Sequence, residues 1–172
     1  DADRTHTEVQ GWLRDLGLAL GFQVWVAAND RGRAFGKGVL GDGCVGALPI
    51  PVEQAPGADK VRLIDVLWLD PGTGQVVAAF EVEHTTSIHS GILRLLDLAK
   101  GGAGQALRGL FVVAPDDREE QVRAEWARPA FSQVMGFSVS FLSYSELEKN
   151  REAMARFGHG MKAIDSIARP LS

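Results

Sequence analysis

The chain has 172 residues, 45% hydrophobic and 23% charged, with a formal net charge of −4 at pH 7. This length predicts a single domain over residues 1–172 that needs no metal merely to fold, and the start at Asp1 is consistent with a domain cut from a longer polypeptide. The sequence shows no long apolar run and no leader pattern, so we expect a cytoplasmic protein without a membrane partner, and its acidic balance argues against nonspecific coating of nucleic acid.

Hydrophobic periodicity predicts alternating helices and strands. Residues 5–22 have apolar side chains at helical spacing, and Thr5 with Glu8 forms a capping box at the start of this helix. The next elements are a strand at 22–28, a loop or irregular hairpin at 29–51, and a hairpin of strands at 61–70 and 75–84. A helix at 87–100, capped by Ser87, and a strand at 109–114 follow. The last elements are a helix at 118–134 that Pro129 kinks or ends, a strand at 138–143, and a helix from Ser145, which caps it with Glu148, to Phe157. This order predicts an α/β fold with a mixed central sheet flanked by helices on both faces.

Two glutamates interrupt the second strand of the predicted hairpin. Glu81 and Glu83 are two residues apart, so they share one face of the strand. The opposite face carries Phe80, Val82 and His84. Since acidic side chains are rarely buried without a partner, this face is predicted to open as a water-accessible notch that holds a cation or a ligand.

A third carboxylate joins them if the hairpin loop has the right length. A three-residue loop at 72–74 pairs Pro71 with Gln75 and places Asp65 directly opposite Glu81. A two- or four-residue loop would turn Asp65 to the other face. Opposed carboxylates repel unless a cation or a proton lies between them, and a cluster of hard oxygen ligands suits Mg²⁺ or Mn²⁺.

Asp65, fifteen intervening residues and then Glu81-Val82-Glu83 resemble the PD-(D/E)XK motif of the restriction-endonuclease-like nucleases. The predicted element order over residues 5–143 is similar to their αβββαβ core. The resemblance implies Mg²⁺-dependent hydrolysis of phosphodiester bonds, as endonucleolytic DNA cleavage in restriction or antiphage defence, or in repair. It implies that Asp65 and Glu81 bind the metal with the Val82 carbonyl, and that residue 83 orients or deprotonates the attacking water.

The sequence departs from the motif at two positions. Ile64 stands where the motif has Pro, which matters little. Glu83 stands where the motif has Lys, so it would act as a general base or hold a second cation. Some members of the superfamily add a carboxylate from the first helix to the metal site, which makes Glu8 a further candidate ligand, although a capping box with Thr5 explains Glu8 without any metal.

Basic residues near the acids are candidate DNA contacts. Arg31, Arg33 and Lys37 lie between glycines in the loop at 29–51, where they either contact phosphates or form a solvated basic loop. His89 and Arg94 follow the motif on the predicted helix at 87–100, and a contact of either with the substrate backbone competes with an ordinary structural role.

Other cofactors are not expected. The glycines at 41–46 spell G-x-G-x-x-G, but prolines follow where a dinucleotide fingerprint needs a helix, and the lysine at 36–38 lacks a P-loop context. The histidines lack zinc spacing. We therefore predict a DNA partner and a homodimer or an additional recognition domain. The alternative is a noncatalytic nucleic-acid or protein interaction module that keeps the nuclease fold.

Overall fold

The computed structural model describes residues 2–85, 87–132 and 136–172, apart from the side chains of Asp3 and Arg4. The helices are α1 (Ala2–Ala19), α2 (Ile50–Glu53), α3 (Ala58–Val61), α4 (Ile88–Lys100), α5 (Glu119–Trp126), α6 (Tyr144–Phe157) and α7 (Lys162–Ile167). The strands are β1 (Gln23–Val26), β2 (Ala34–Phe35), β3 (Gly38–Val39), β4 (Val66–Leu69), β5 (Val76–Val82), β6 (Gly109–Ala114), β7 (Val139–Ser143) and β8 (Arg169–Pro170).

One mixed sheet organises the described residues. Its six strands follow the order β1-β4-β5-β6-β7-β8, while β2 and β3 form a separate short hairpin. The pairs from β1 to β5 are antiparallel, β5, β6 and β7 run parallel, and β8 pairs antiparallel with β7. The prediction of an α/β fold with a mixed central sheet is confirmed. None of the helices in the described ranges combines the length and apolar content needed to cross a membrane.

Helices cover both faces of the sheet. One face buries apolar side chains of α1, α6 and α7, and its sheet residues include Val66, Trp68, Phe80 and Val82. The other face buries side chains of α4 and α5, and its sheet residues include Leu67, Leu69 and Ala79. Because side chains alternate along a strand, residues 65, 81 and 83 belong to the face that α4 covers.

A close contact fixes α1 across β4. The indole Nε1 of Trp68 donates a buried hydrogen bond of 3.0 Å to the carbonyl of Leu13. Gly17 makes this approach possible, since a Cβ at that position would lie 2.3 Å from Trp68 Nε1. The first turns of α1 consequently lie beside the beginning of β4, where Asp65 is located.

The β4–β5 hairpin has the predicted pairing register, but its loop is one residue longer than predicted. The Asp70 amide donates to the Gln75 carbonyl at 2.9 Å, so residues 71–74 form a four-residue loop and the predicted three-residue loop is wrong. Leu69 then pairs with Val76 but Trp68 pairs with Ala78. The residue skipped between them forms a β-bulge, which restores the parity and leaves Val66 opposite Phe80. Asp65 and Glu81 therefore still share a face.

Two predicted caps are wrong. The helix α1 begins at Ala2, so Thr5 lies inside it and does not cap it with Glu8. The cap of α6 is Ser143, whose Oγ accepts a 3.0 Å hydrogen bond from the Glu146 amide, in place of the predicted Ser145. In both cases the helix extends further toward the N-terminus than the apolar periodicity indicates. The predicted Ser87 cap of α4 is confirmed by its bond from the Ser90 amide.

Some element bounds also differ from those predicted. Residues 58–61 form α3, whereas the predicted strand begins at 61, and β4 begins only at Val66. The helix α5 ends at Trp126 ahead of Pro129, as a helix-breaking proline requires. The part of the predicted helix at 133–134 lies outside the described residues. The irregular hairpin expected within 29–51 is present as β2 and β3.

Candidate metal centre

Three carboxylates converge where β4 begins and β5 ends. Asp65, Glu81 and Glu83 each place a carboxylate oxygen within 4.8 Å of the others. Their exposed fractions are 8%, 0% and 1%. The predicted water-accessible notch is therefore wrong for the two glutamates, because α4 packs over this part of the sheet and covers them.

The helix α4 carries a glycine where it crosses the glutamates. A Cβ at Gly91 would lie 2.2 Å from Glu83 Oε1 and 3.3 Å from Glu81 Cβ. Those distances are too short for any larger residue unless Glu83 moves. Gly91 thus leaves the space that the clustered carboxylates occupy.

Arg94, one turn further along α4, neutralises Glu81. Its Nη2 donates to Oε1 at 2.7 Å and its Nε donates to Oε2 at 3.1 Å. Burial and the charge of Asp65 raise the pKa of Glu81 well above its ordinary value, and Arg94 offsets part of this rise. The hydrogen bond to Glu81 in turn raises the pKa of Arg94. In this structure Arg94, a predicted DNA contact, is the partner of Glu81, and 29% of its side chain is exposed.

Asp65 is held from two sides. Its Oδ2 accepts a buried 2.7 Å hydrogen bond from the Val82 amide, and its Oδ1 lies 3.3 Å from Nε2 of His6. Burial lowers the pKa of His6, but the hydrogen bond to Asp65 and nearby acids outweigh it, so the pKa is raised. Asp65 is therefore oriented before any ligand arrives.

A second group of possible ligands adjoins the first. His6, Asp30 and Asp65 place ligand atoms within 4.8 Å of one another. The Nε2 of Gln10 donates to Asp30 Oδ2 at 3.1 Å and to the carbonyl of Asp65 at 3.2 Å. Sequence reasoning missed His6, Gln10 and Asp30. A usable signal was present for the first two, which lie four residues apart and extend the apolar stripe that begins at Val9.

The backbone after β5 is also fixed. The Glu83 amide donates to the Val113 carbonyl at 2.8 Å, which continues the parallel pairing with β6. The guanidinium of Arg118 donates from Nη1 to the carbonyls of Glu83 and His84 at 2.9 and 3.1 Å. His84 stacks on Tyr144, with ring centroids 5.8 Å apart.

Glu8 does not join the acids. It is exposed and lies outside both groups of possible metal ligands among the described residues. The reason is helical geometry: His6 and Gln10 turn toward Asp65, and Glu8, midway between them in sequence, is rotated by about 200° from each. The structure gives no support to Glu8 as a metal ligand.

His89 also has an evident structural role. Its Nδ1 lies 2.8 Å from Glu125 Oε1, and its ring packs against Phe131 with centroids 5.5 Å apart. These contacts tie α4 to α5 and the segment that follows it. The predicted phosphate contact at His89 would have to compete with Glu125.

The three basic residues of the loop at 29–51 differ in their surroundings. Arg31 donates to the Val45 carbonyl at 2.9 Å and lies over the Trp25 ring at 5.1 Å, so it supports the loop. Arg33 is paired with Asp30 at 3.0 Å. Lys37 is exposed in the turn between β2 and β3. Arg33 and Lys37 are both exposed, whereas Arg31 is partly buried.

The fold and this centre define an α/β protein whose mixed sheet holds a buried acidic cluster with the donor chemistry of a divalent-cation site. The chain belongs to the family described as the Type II restriction enzyme NmeDI C-terminal domain, whose model matches residues 1–170. It is 30% identical over 154 residues to the Type II restriction enzyme NmeDI of Neisseria meningitidis serogroup C. That match covers 87% of this chain and 43% of the relative, so the chain spans less than half of the relative's length. No solved structure matches the chain.

Proposed function

We propose that this chain is a divalent-cation-dependent nuclease domain that hydrolyses phosphodiester bonds in DNA, by endonucleolytic cleavage in restriction. The observation that carries the proposal is the convergence of Asp65, Glu81 and Glu83 within 4.8 Å. Buried like charges destabilise a fold unless a cation or a proton compensates them, so a purely structural origin is a poor explanation for three acids at one point. Family membership supports DNA as the substrate and restriction as the context.

Asp65 and Glu81 are the proposed metal ligands, together with the Val82 carbonyl, as the PD-(D/E)XK motif implies. Carboxylate and carbonyl oxygens are the ligands that Mg²⁺ and Mn²⁺ prefer. A bound ion of this kind activates water and neutralises charge on a phosphoryl group. The protein's contribution is rigidity, since the Val82 amide already fixes Asp65 through a 2.7 Å hydrogen bond.

Glu83 is the proposed proton acceptor for the attacking water. It stands at the lysine position of the motif, and its backbone is held by Val113 and by Arg118. A carboxylate in a covered site accepts a proton more readily than one in water, because burial disfavours its charged form. This role needs no positive charge at residue 83.

Arg94 supplies the positive charge that a lysine at residue 83 would give. In this structure it compensates the charge of Glu81. A cation bound to Glu81 would balance the charge of that carboxylate in place of Arg94. The planar donors of the guanidinium, which match the oxygens of a phosphate, would then be available to the substrate. The 29% exposed fraction of its side chain supports this role, because part of the guanidinium is accessible.

The substrate is proposed to approach from the side of Asp65 and His6. Their side chains are 11% and 19% exposed, whereas Glu81 and Glu83 are covered by α4. A homodimer or an additional recognition domain would supply the base-specific contacts. The chain's own part is then the chemical step.

One observation favours a different function, that of a noncatalytic interaction module. The pair formed by Arg94 and Glu81 satisfies the most deeply buried acid without any metal. Such a module would keep the fold and a DNA or protein partner while binding no divalent cation.

Calorimetric titration of Mn²⁺ into the chain, paired with plasmid cleavage in the same buffer, separates the two functions. Asp65→Asn and Glu81→Gln are expected to lose Mn²⁺ binding and at least about 100-fold in cleavage rate, a loss typical for removal of a catalytic electrostatic group. Glu53→Gln, which changes an exposed glutamate on α2, serves as the matched control and should behave as the parent. A parent that binds no Mn²⁺, or a Glu81→Gln chain that cuts as fast as the parent, refutes the nuclease proposal.

A further inference from the structure

Two stacked rings lie at the sheet edge that carries the acidic centre of Asp65, Glu81 and Glu83. The strands β5, β6 and β7 run parallel, so their carboxyl ends meet at one edge, where Glu83 follows β5 and Tyr144 follows β7. The ring of His84, the residue after Glu83, packs parallel to the Tyr144 ring, with centroids 5.8 Å apart and an interplanar angle of 2°. Ligands of open α/β sheets bind beyond the carboxyl ends of parallel strands. The two rings therefore lie at the edge where a substrate is expected.

Each of these rings carries a buried polar atom that is unpaired. The hydroxyl of Tyr144 and the Nδ1 of His84 have no hydrogen-bond partner among the described residues. Both residues are nevertheless partly exposed, so the two atoms are covered but belong to side chains that reach the surface. A buried polar group without a partner destabilises a fold, and most such groups in proteins are paired. Two of them on stacked rings suit a ligand that brings its own hydrogen-bonding atoms.

The surroundings keep the Tyr144 hydroxyl a hydrogen-bond donor. Burial, followed by the charges of Glu83 and Asp65, raises the pKa of Tyr144, while the charge of Arg118 lowers it. The phenol consequently stays protonated at neutral pH and can donate to an anionic oxygen. The backbone that carries the His84 ring is also fixed, because Nη1 of Arg118 donates to the carbonyls of Glu83 and His84. Both rings are thus held in place before any substrate binds.

We propose that the Tyr144 hydroxyl and the Nδ1 of His84 bind a phosphate of the DNA strand that lies at the acidic centre. A phosphodiester has anionic oxygens that accept hydrogen bonds, and contacts of this kind position a nucleic acid on a protein. The phosphate arrives with the substrate, so the unpaired atoms gain their partners only in the complex. This inference rests on the proposed function, because it requires a DNA strand at the centre. It assigns a substrate contact to an uncharged residue at the start of α6.

Tyr144→Phe separates this role from a structural one. The ring and its stack on His84 remain, and only the unpaired hydroxyl is lost. The variant should unfold at the same urea concentration as the parent or at a higher one, since a buried unpaired group is removed. Its cleavage rate should nevertheless fall about 10- to 100-fold, as expected for the loss of one hydrogen bond to a charged group, while Mn²⁺ binding stays unchanged. Ser138→Ala removes an exposed hydroxyl at the opposite end of β7 and, as the matched control, should cut as fast as the parent.

A spectroscopic signal tests the contact itself. Tyr144 is the only tyrosine of the chain, so incorporation of meta-fluorotyrosine gives a single fluorine resonance. That resonance should shift when a short duplex with a mapped cleavage site is added in EDTA, which prevents cleavage under the proposed function. His84→Phe, which keeps a ring but loses Nδ1, should bind the same duplex about 10-fold more weakly. His159→Phe, at an exposed histidine, is its control and should bind as the parent does.

The outcomes separate this inference from the proposed function. A fluorine resonance that saturating DNA leaves in place, or a Tyr144→Phe chain that cuts as fast as the parent, would overturn the phosphate contact. Loss of cleavage in Asp65→Asn would still leave the proposed function standing. A Tyr144→Phe chain that unfolds at a lower urea concentration would assign the hydroxyl a structural role and would also overturn the contact. A parent whose resonance shifts with DNA but that neither binds Mn²⁺ nor cuts would overturn the proposed function alone.

Discussion

Arg94 binds both carboxylate oxygens of Glu81, with Nη2 2.7 Å from Oε1 and Nε 3.1 Å from Oε2. Glu81 is fully buried in the sheet, and the guanidinium reaches it from α4. A buried carboxylate needs a positive partner, and either Arg94 or a divalent cation can fill that role. The protein is therefore expected to fold without metal and to exchange one positive partner for another when the ion binds.

Replacement of Arg94 by alanine should destabilise the chain in the absence of metal and increase the stabilisation that added Mn²⁺ provides. The expected loss in the free energy of unfolding is about 3 kcal/mol, the low end for breaking a buried ion pair, because Glu81 is left without its counter-charge. Urea unfolding in EDTA and in Mn²⁺ measures both effects.

Mn²⁺ should restore more stability to the Arg94→Ala chain than it adds to the parent, since the ion replaces the missing charge. Lys100→Ala, at the exposed end of α4, is the control and should change stability little. Equal Mn²⁺ stabilisation of the parent and Arg94→Ala would mean that Glu81 does not bind the ion.

Asp65 is expected to have separable structural and chemical roles. Asp65→Asn keeps an acceptor for the Val82 amide but loses the charge, so the chain should remain folded while cleavage falls. Asp65→Ala also leaves that buried amide unpaired and should cost a further 1–3 kcal/mol or so of unfolding free energy. Thermal unfolding and cleavage rates of the two variants check this. An Asp65→Ala chain as stable as Asp65→Asn would show that the hydrogen bond does not contribute to the stability of the fold.

Gly91→Ala should impair the centre although it favours the helix. Alanine in place of glycine gains about 1 kcal/mol of helix propensity, but its Cβ would lie 2.2 Å from Glu83 Oε1 and push that carboxylate away. We expect Mn²⁺ affinity to fall about 10- to 100-fold, the range for disturbed supporting groups of a metal site. Ser90→Ala, one residue earlier on α4, is the calorimetric control. An unchanged affinity in Gly91→Ala would show that Glu83 is free to move without consequence.

The basic residues of the loop after β1 should separate into two kinds. Lys37→Ala is expected to weaken DNA binding several-fold and to reduce the slope of log affinity against log salt by about 1, as loss of one phosphate contact does. Arg31→Ala should instead reduce stability by roughly 1–2 kcal/mol, because it removes the bond to Val45 and the contact with Trp25. Fluorescence anisotropy at several salt concentrations, with urea unfolding, distinguishes them; a salt slope that Lys37→Ala leaves unchanged would remove this lysine from the interface.

The sequence predicted the face on which the acids lie better than the details that put them there. The alternation of β5 places Glu81 and Glu83 together whatever the loop does. The position of Asp65 depends on parity along β4, where a four-residue loop and a bulge after Trp68 cancel each other. A bulge is set by packing in the hairpin and leaves no clear pattern in the residue types. The sequence therefore predicted the correct face for Asp65 from an incorrect loop length.

The pairing of each acid with its partner was beyond sequence reasoning, because the partners come from distant segments. His6 and Asp65 are 59 positions apart in the numbering and meet because α1 crosses β4 at Trp68. The closeness of Arg94 to the acids was anticipated, but its pairing with Glu81 was not, since the cover that α4 forms over the glutamates depends on Gly91. The cap of α6 was predicted incorrectly because two serines, Ser143 and Ser145, lie at the same helix start, and Ser143 is the one that caps it.

Anomalous diffraction from crystals of the chain grown with Mn²⁺ tests the central claim most directly. The account predicts a peak within bonding distance of carboxylate oxygens of both Asp65 and Glu81, with Arg94 displaced from Glu81. Crystals in which Arg94 still holds Glu81 through both oxygens and no peak lies between the three acids, at Mn²⁺ concentrations that support DNA cleavage, would contradict it.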